Sequence, residues 1–313
     1  MRDRIAQAVE LLGSESLPTR LFGIYALEGI AQETPEHRRV IGEALATFVR
    51  DGAGVEGTSR CEIQTALAVL SRRICPVERD YRADLRGADL TGCFLLGAEL
   101  EQANLAEALL EGAFLEGVDL EGANLVGADL AGANLLGANL EGANLEGANL
   151  VDALLFGANL EGANLSQASL LGANLAGANL EGVVAAGANF GQALLAGATL
   201  ERARLTDACL VGADLTTANL EAAELDRADL RRVLLRKANL EDAELTSADL
   251  TGADLTDANL ENAELAGVDM TDAELSGANL DDVNLQGARG LEAEQLGRAA
   301  SVSGADLPEG LSG

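Results

Sequence analysis

The sequence predicts a mainly β solenoid of four-sided coils, preceded by an α-helical segment and closed by a short C-terminal helix. Three observations carry this. From Arg82 onward the chain repeats with a period of five. Before that point apolar residues recur at helical spacing instead. No proline falls between Arg82 and Leu307.

The helical part comes first. "RIAQAVELL", "RLFGIYALEGIA", "RRVIGEALATFV" and "IQTALAVLSRR" each place apolar residues three and four apart, as amphipathic helices do. Breaks fall at "GSESLP", "ETPE" and "DGAGVEGTS". Pro18 and Pro35 sit where a first helical turn tolerates proline, and Pro76 is expected to end the last helix. Four helices packed in pairs are expected over residues 1–80, which hold 10 basic and 12 acidic residues and are nearly balanced in charge.

The solenoid is expected over residues 81–289. Every fifth residue from Leu85 to Leu285 is Leu, except Ala185, Phe190 and Met270, which makes 41 units without an insertion. Two positions earlier comes Ala, with some Val and Cys93. Five matches neither the helical nor the strand period. Four five-residue sides that close a coil in 20 residues do match it, with the Leu and the Ala pointing inward. Gly dominates three positions before the Leu, as at Gly122, Gly127 and Gly132, which suits a corner of positive φ. Stacked coils need every backbone N–H, and this accounts for the missing prolines. Solenoid ends expose unpaired backbone and need covers. The N-terminal helices are expected at one end and "GLEAEQLGRAA" (290–300) at the other, followed by an irregular tail to residue 313.

The motif resembles that of the pentapeptide-repeat family, A(D/N)LXX, and "GADLAGANLLGANL" (127–140) matches it throughout. The resemblance spans about two thirds of the chain. It implies a right-handed quadrilateral β-helix. Residues 12–51 also resemble a helical module found ahead of the repeats in some bacterial members.

The formal net charge is −30. Such a chain does not bind nucleic acid by phosphate neutralisation; it repels anionic membranes and attracts basic protein surfaces. Cys61, Cys75, Cys93 and Cys209 have no metal-ligand spacing, His37 is the single His, and no apolar run is long enough to cross a bilayer. "MRDRIAQAVE" reads as no secretory signal. The expectation is a cytoplasmic, non-enzymatic protein with free thiols, no metal and no cofactor.

A 20-residue coil stacks residues 20 apart at about 4.8 Å. Glu101, Glu121, Glu141, Glu161, Glu181, Glu201, Glu221, Glu241 and Glu261 then form one ladder, continued by Asp281. Neighbours in it repel by roughly 0.9 kcal/mol in bulk water. Either coil duplication copied the Glu, or a negative stripe was selected for a basic partner. Asn104, Asn124, Asn144 and Asn164, and Asn219, Asn239, Asn259 and Asn279, form ladders whose amides can bond from coil to coil. Arg227, Arg231, Arg232, Arg236 and Lys237 form a basic belt, which either pairs with acids one coil away or anchors a second contact. Phe94, Phe114, Leu154, Leu194 and Leu234 share one outward position, with Leu96, Leu136 and Phe156 at the next corner. This stripe is a candidate apolar interface.

Residues 81–288 hold 35 acidic and 9 basic residues. Over ten coils that is about one net charge per 1.9 Å of axis, against about 1.7 Å for duplex DNA. Family members similar to this chain include DNA mimics that bind bacterial type II topoisomerases and protect them from poisons. The resemblance therefore implies DNA gyrase or topoisomerase IV as partners, with a generic interaction scaffold as the rival reading. Residues 241–282 carry 13 acids and no base. Asp242, Glu244, Asp249, Asp254, Asp257, Glu264, Asp269, Asp272 and Glu274 are expected to dominate such contacts. A homodimer through the C-terminal cap, as in some similar proteins, would join two such stretches.

Overall fold

A computed structural model describes residues 2–52, 60–71 and 82–311. Four helices open the chain: α1 (Arg2–Leu12), α2 (Leu17–Glu33), α3 (Arg38–Gly52) and α4 (Arg60–Leu70). Pro18 lies in the first turn of α2, and Pro35 opens a 3-10 turn ahead of α3. Helices α1 and α2 form one pair and α3 and α4 another. Gly23 lets the first pair close: a Cβ there would lie 2.9 Å from the Ala8 carbonyl oxygen. Arg20 and Glu62 form an ion pair buried between α2 and α4, and Arg20 also donates to the Ser14 carbonyl at 2.7 Å. Pro76, Cys75 and the 80/81 boundary lie outside the described residues.

From residue 84 each outward-facing residue bridges, in parallel, to the residue 20 positions later, starting with Asp84 to Asn104 and reaching Asp269 to Arg289. One coil therefore holds four units. The expectation of a mainly β chain needs correction here. Among the described residues each side contributes a single bridging residue and no longer strand forms. The reason lies in the unit itself: two of its five residues are spent on a corner, so only three remain to run straight.

Backbone bonding within a unit is complete in the same way coil after coil. Leu125 N–H donates to the Asn144 carbonyl at 2.7 Å, Gly127 N–H to Glu146 at 2.9 Å, and Asn144 N–H returns to Ala123 at 2.9 Å. The corner closes through Ala128 N–H to the Leu125 carbonyl, 3.0 Å. Its third residue has positive φ in every unit from Gly87 to Gly287: 23 glycines and 18 other residues. The central Leu and Ala of each unit are buried, and Ala185, Phe190 and Met270 are fully enclosed among them.

Both ends are closed by glutamine side chains that copy missing backbone. At the N-terminal end Gln64 of α4 accepts from Phe94 N–H at 2.8 Å and donates to the Phe94 carbonyl. Arg50 of α3 reaches the Asp84 carboxylate at 2.8 Å. At the other end α5 (Ala293–Leu296) is only four residues long. Gln295 from it donates to the carbonyls of Met270 (3.1 Å) and Ala273 (2.9 Å) while accepting from Glu292 N–H at 2.6 Å. Gly290, φ +67°, admits this loop, because a Cβ there would sit 2.6 Å from the backbone of Thr271. The tail is not irregular, as its sequence suggested. Ser301 bridges to Asn279 and Asp306 to Asn284, so the ladder resumes with a register two residues longer.

Candidate functional site: the outward faces of the rod

Each outward position is set by its place in the unit. The bridging residue lies at mid-side, and the two residues after the central Leu make the corner. The Glu ladder therefore runs along one corner. Glu101, Glu121, Glu141 and Glu161 are exposed, and Glu181, Glu201, Glu221, Glu241, Glu261 and Asp281 are half-buried. The side before that corner carries Asn139, Asn159 and Asn179, then Asn219, Asn239, Asn259 and Asn279. Asn159 illustrates the arrangement. Its Nδ2 donates to Asn139 Oδ1 at 3.2 Å and lies 3.3 Å from Glu141 Oε2, while its own Oδ1 accepts from Glu161 N–H at 3.2 Å. The same Asn-to-Glu bond recurs at Glu161, Glu221, Glu241 and Glu261. Asn amides one coil on thus offset part of the repulsion within the Glu ladder. Asn104 and Asn124, and Asn144 and Asn164, are bonded likewise at 3.1 and 3.0 Å.

The basic belt pairs largely with acids of its own or a neighbouring coil. Arg227 holds Asp207 at 2.7 Å, Arg231 holds Asp229 at 2.6 Å and approaches Asp249 at 3.7 Å, and Arg236 holds Asp254 at 2.5 Å. Hydrogen bonds from Arg227 and Arg231 hold the Asp207 and Asp229 carboxyls below the usual range. For Asp254, burial pushes upward, but bonds from Thr256 and Arg236 outweigh it and leave the carboxyl lowered. Hydrogen bonds from Thr271 and Ser276 lower Asp269 and Glu274. Arg232 and Lys237 form no ion pair among the described residues.

The two acidic stretches differ in availability. Of the 13 acids over 241–282, Asp242, Glu244, Asp257, Asp272 and Asp282 are exposed. Asp249, Asp254, Glu264, Asp269 and Glu274 are half-buried; Glu264 accepts from Asn284 and Glu274 meets Arg298 at 3.4 Å. Over 87–201, by contrast, 11 of 15 acids are exposed and no Lys or Arg lies among them.

The apolar stripe occupies a third side. Phe94, Phe114, Leu154 and Leu194 are 42–56% exposed, and Leu234 is half-buried. The rings of Phe94 and Phe114 stack at 4.6 Å. The stripe is not continuous, because Asn134, Asn174 and Asp214 alternate with it. Leu96, Leu136 and Phe156 at one flanking corner and Leu171 at the other widen it. The sequence reading missed Leu171, and also Leu109 on the adjoining side. Each is a single Leu at a position that varies from coil to coil, with no period to flag it.

Among the described residues, no group of three or more His, Cys, Asp or Glu is placed to hold a metal ion, and no helix is long and apolar enough to cross a membrane. Cys93 is buried, which pushes its thiol up.

Comparison with known proteins adds the lineage. The sequence profile of the family Pentapeptide repeats matches in eight copies between residues 83 and 289. Similar solved structures include HetL of the cyanobacterium Nostoc sp. strain PCC 7120, a pentapeptide repeat protein involved in heterocyst differentiation regulation. It is 38% identical, with 64% of this chain and 89% of that one covered, at a TM-score of 0.37. QnrB1, a plasmid-mediated fluoroquinolone resistance protein, is 20% identical over 69% of this chain and 90% of its own, TM-score 0.32. A pentapeptide repeat protein of the Arabidopsis thaliana thylakoid lumen is 30% identical over 34% of this chain and 68% of its own, TM-score 0.21. No curated protein gave a significant match. With the repeat profile covering well over half of its length, this chain belongs to the pentapeptide-repeat family.

Proposed function

We propose that the protein is a non-enzymatic acidic rod that binds a basic protein surface, with a bacterial type II topoisomerase, DNA gyrase or topoisomerase IV, as the partner. The rod we propose is the right-handed quadrilateral β-helix of its family. One observation carries the reading: between Gly87 and Glu201, over nearly six coils, 15 acids stand without a single Lys or Arg. A basic saddle that normally holds duplex DNA meets there a rod with DNA-like spacing of negative charge, with Arg202, which bridges Glu181 and Glu201, as a cation only at its far edge.

Sequence density alone favoured residues 241–282. Exposure and ion pairing favour the first six coils instead, and the ladder Glu121, Glu141 and Glu161 within them. The contact should form fast and weaken steeply as salt rises.

A gyrase supercoiling assay with and without a fluoroquinolone, run beside a pull-down from bacterial lysate, tests this. Inhibition of supercoiling or protection from the poison supports the reading. No effect on gyrase, with capture of another protein, would leave the generic scaffold.

A further inference from the structure

The apolar side has a pattern that the acidic-rod reading does not use. Of the 15 acids over 87–201, only Glu111, Glu116 and Asp152 lie on this side or its two corners. The large exposed residues there also follow a rule. Within two coils of Leu154, counted outward, a large side chain at a given height on one side of that coil is matched by a small or apolar one at the same height on the other. The match ends three coils out, where Phe94 is level with Asp214 and Leu96 with Thr216.

We propose that this side is the interface of an antiparallel homodimer whose two-fold axis passes through the coil of Leu154. An axis lying across the rod sets Leu154 on Leu154 and Phe156 on Phe156. One coil out, Asn134 meets Asn174, Leu136 meets Ala176 and Leu171 meets Ala131. Two coils out, Phe114 meets Leu194, while Glu111 and Glu116 meet Gly191 and Ala196. Large faces small in four of these pairs, as interdigitation requires. Away from the axis no acid faces an acid; on it, Asp152 meets its own copy at the rim. A parallel pairing does the opposite: it sets Asp214, Asp254 and Glu274 on their own copies and Glu111 against Glu116. An isologous interface must be self-complementary in this way. The Glu ladder lies one full side away and stays open to solvent in such a dimer.

Because the interface is apolar and the chains repel, the dimer strengthens with salt, the reverse of a contact with a basic partner. Sedimentation equilibrium of the full chain at about 100 μM, well above the Kd of typical specific dimers, is the first measurement. A dimer fraction that grows between about 0.05 and about 0.5 M salt is expected. Leu154→Glu and Leu154→Arg fold, since Asn134, Asp254 and Glu274 occupy the same position in other coils. Each alone should be monomeric, and an equimolar mixture should dimerise again, because residue 154 meets only its own copy. A wild-type monomer at both salts would overturn the proposal. So would a dimer that both variants keep, which would instead place the contact at the C-terminal cap.

Discussion

The two halves of the solenoid share a core and the Asn and Glu ladders, and differ in their corners, their cations and their exposed apolar residues. Over 87–197, 18 of 23 corner positions of positive φ are Gly; over 202–287, 13 of 18 are not. The first half has no cation and leaves most of its acids exposed, while the second carries seven Lys and Arg, of which Arg227, Arg231 and Arg236 pair with its own acids and Arg202 bridges Glu181 and Glu201. The exposed large apolar residues of the solenoid, from Phe94 to Leu194, all lie in the first half. The lesson is that inward Leu and Ala fix the coil, and the corner is where the halves are free to diverge. A corner occupied by Arg202 or Arg227 accepts left-handed strain of about 1 kcal/mol and in return projects a side chain that pairs along the rod, with Glu181 and Asp207 respectively. A glycine corner avoids the strain and projects no side chain of its own to pair with the acids beside it.

The comparison can be broken most strongly in the glycine half. Gly117, Gly147 and Gly177 have φ between +62° and +65°, and a Cβ at each would meet nothing within 4 Å. Substituting all three by Ala therefore introduces backbone strain alone, about 1 kcal/mol each, and roughly additively because they lie coils apart. A loss near 3 kcal/mol in denaturant unfolding is expected. An unchanged midpoint would mean that the corners are not strained.

Next comes the far end of the other half. Gln295→Ala leaves the Ala273 carbonyl without its donor and takes one of two donors from the Met270 carbonyl, which keeps Ala273 N–H, and should cost about 1–3 kcal/mol. Hydrogen exchange should place the loosening in the last coils, with the first half protected as before. Uniform loosening would contradict it.

A smaller effect sharpens the strain argument from the opposite side. Arg232, φ +57°, forms no ion pair among the described residues. Arg232→Gly should raise stability by up to about 1 kcal/mol, less the entropy that Gly adds to the unfolded chain. Arg227→Gly, which also breaks the Asp207 pair, should gain less. Equal gains in thermal melts would show that the pair contributes nothing.

The smallest effect is acid dependence. The Asp229 carboxyl is lowered by Arg231. Stability from that depression is therefore present above the ordinary carboxylate range and is lost as pH falls through the lowered folded value. The Tm difference between wild type and Asp229→Asn, measured by calorimetry, should be present at neutral pH and close in acid. A difference that widens in acid would reverse the sign.

Much of this was legible in the sequence. The five-residue period fixes the 20-residue coil, and the bridges from Asp84 to Arg289 follow it without a slip. The Asn and Glu ladders were visible for the same reason, since stacking depends on backbone register alone. What depended on side-chain reach was not. Gln64 and Gln295 act through single amides far from their partners in sequence. The pairing of Arg236 with Asp254, rather than with an acid of its own coil, is set by rotamer and corner direction. The resumed ladder at Ser301 was hidden because α5 lengthens one coil by two residues and breaks the period.

The central claim is that the exposed acids of the first six coils, Glu121 to Glu161 above all, are what a basic partner meets. Two variants remove four exposed acids each: Glu121, Glu141, Glu146 and Glu161 to Gln, or Asp242 and Asp257 and Asp272 to Asn with Glu244 to Gln. The direct measurement is the affinity of each for DNA gyrase beside wild type, at low and physiological salt. The account predicts the larger loss, and the larger fall in salt dependence, for the first variant. A larger loss for the second, or equal loss in both, would contradict it.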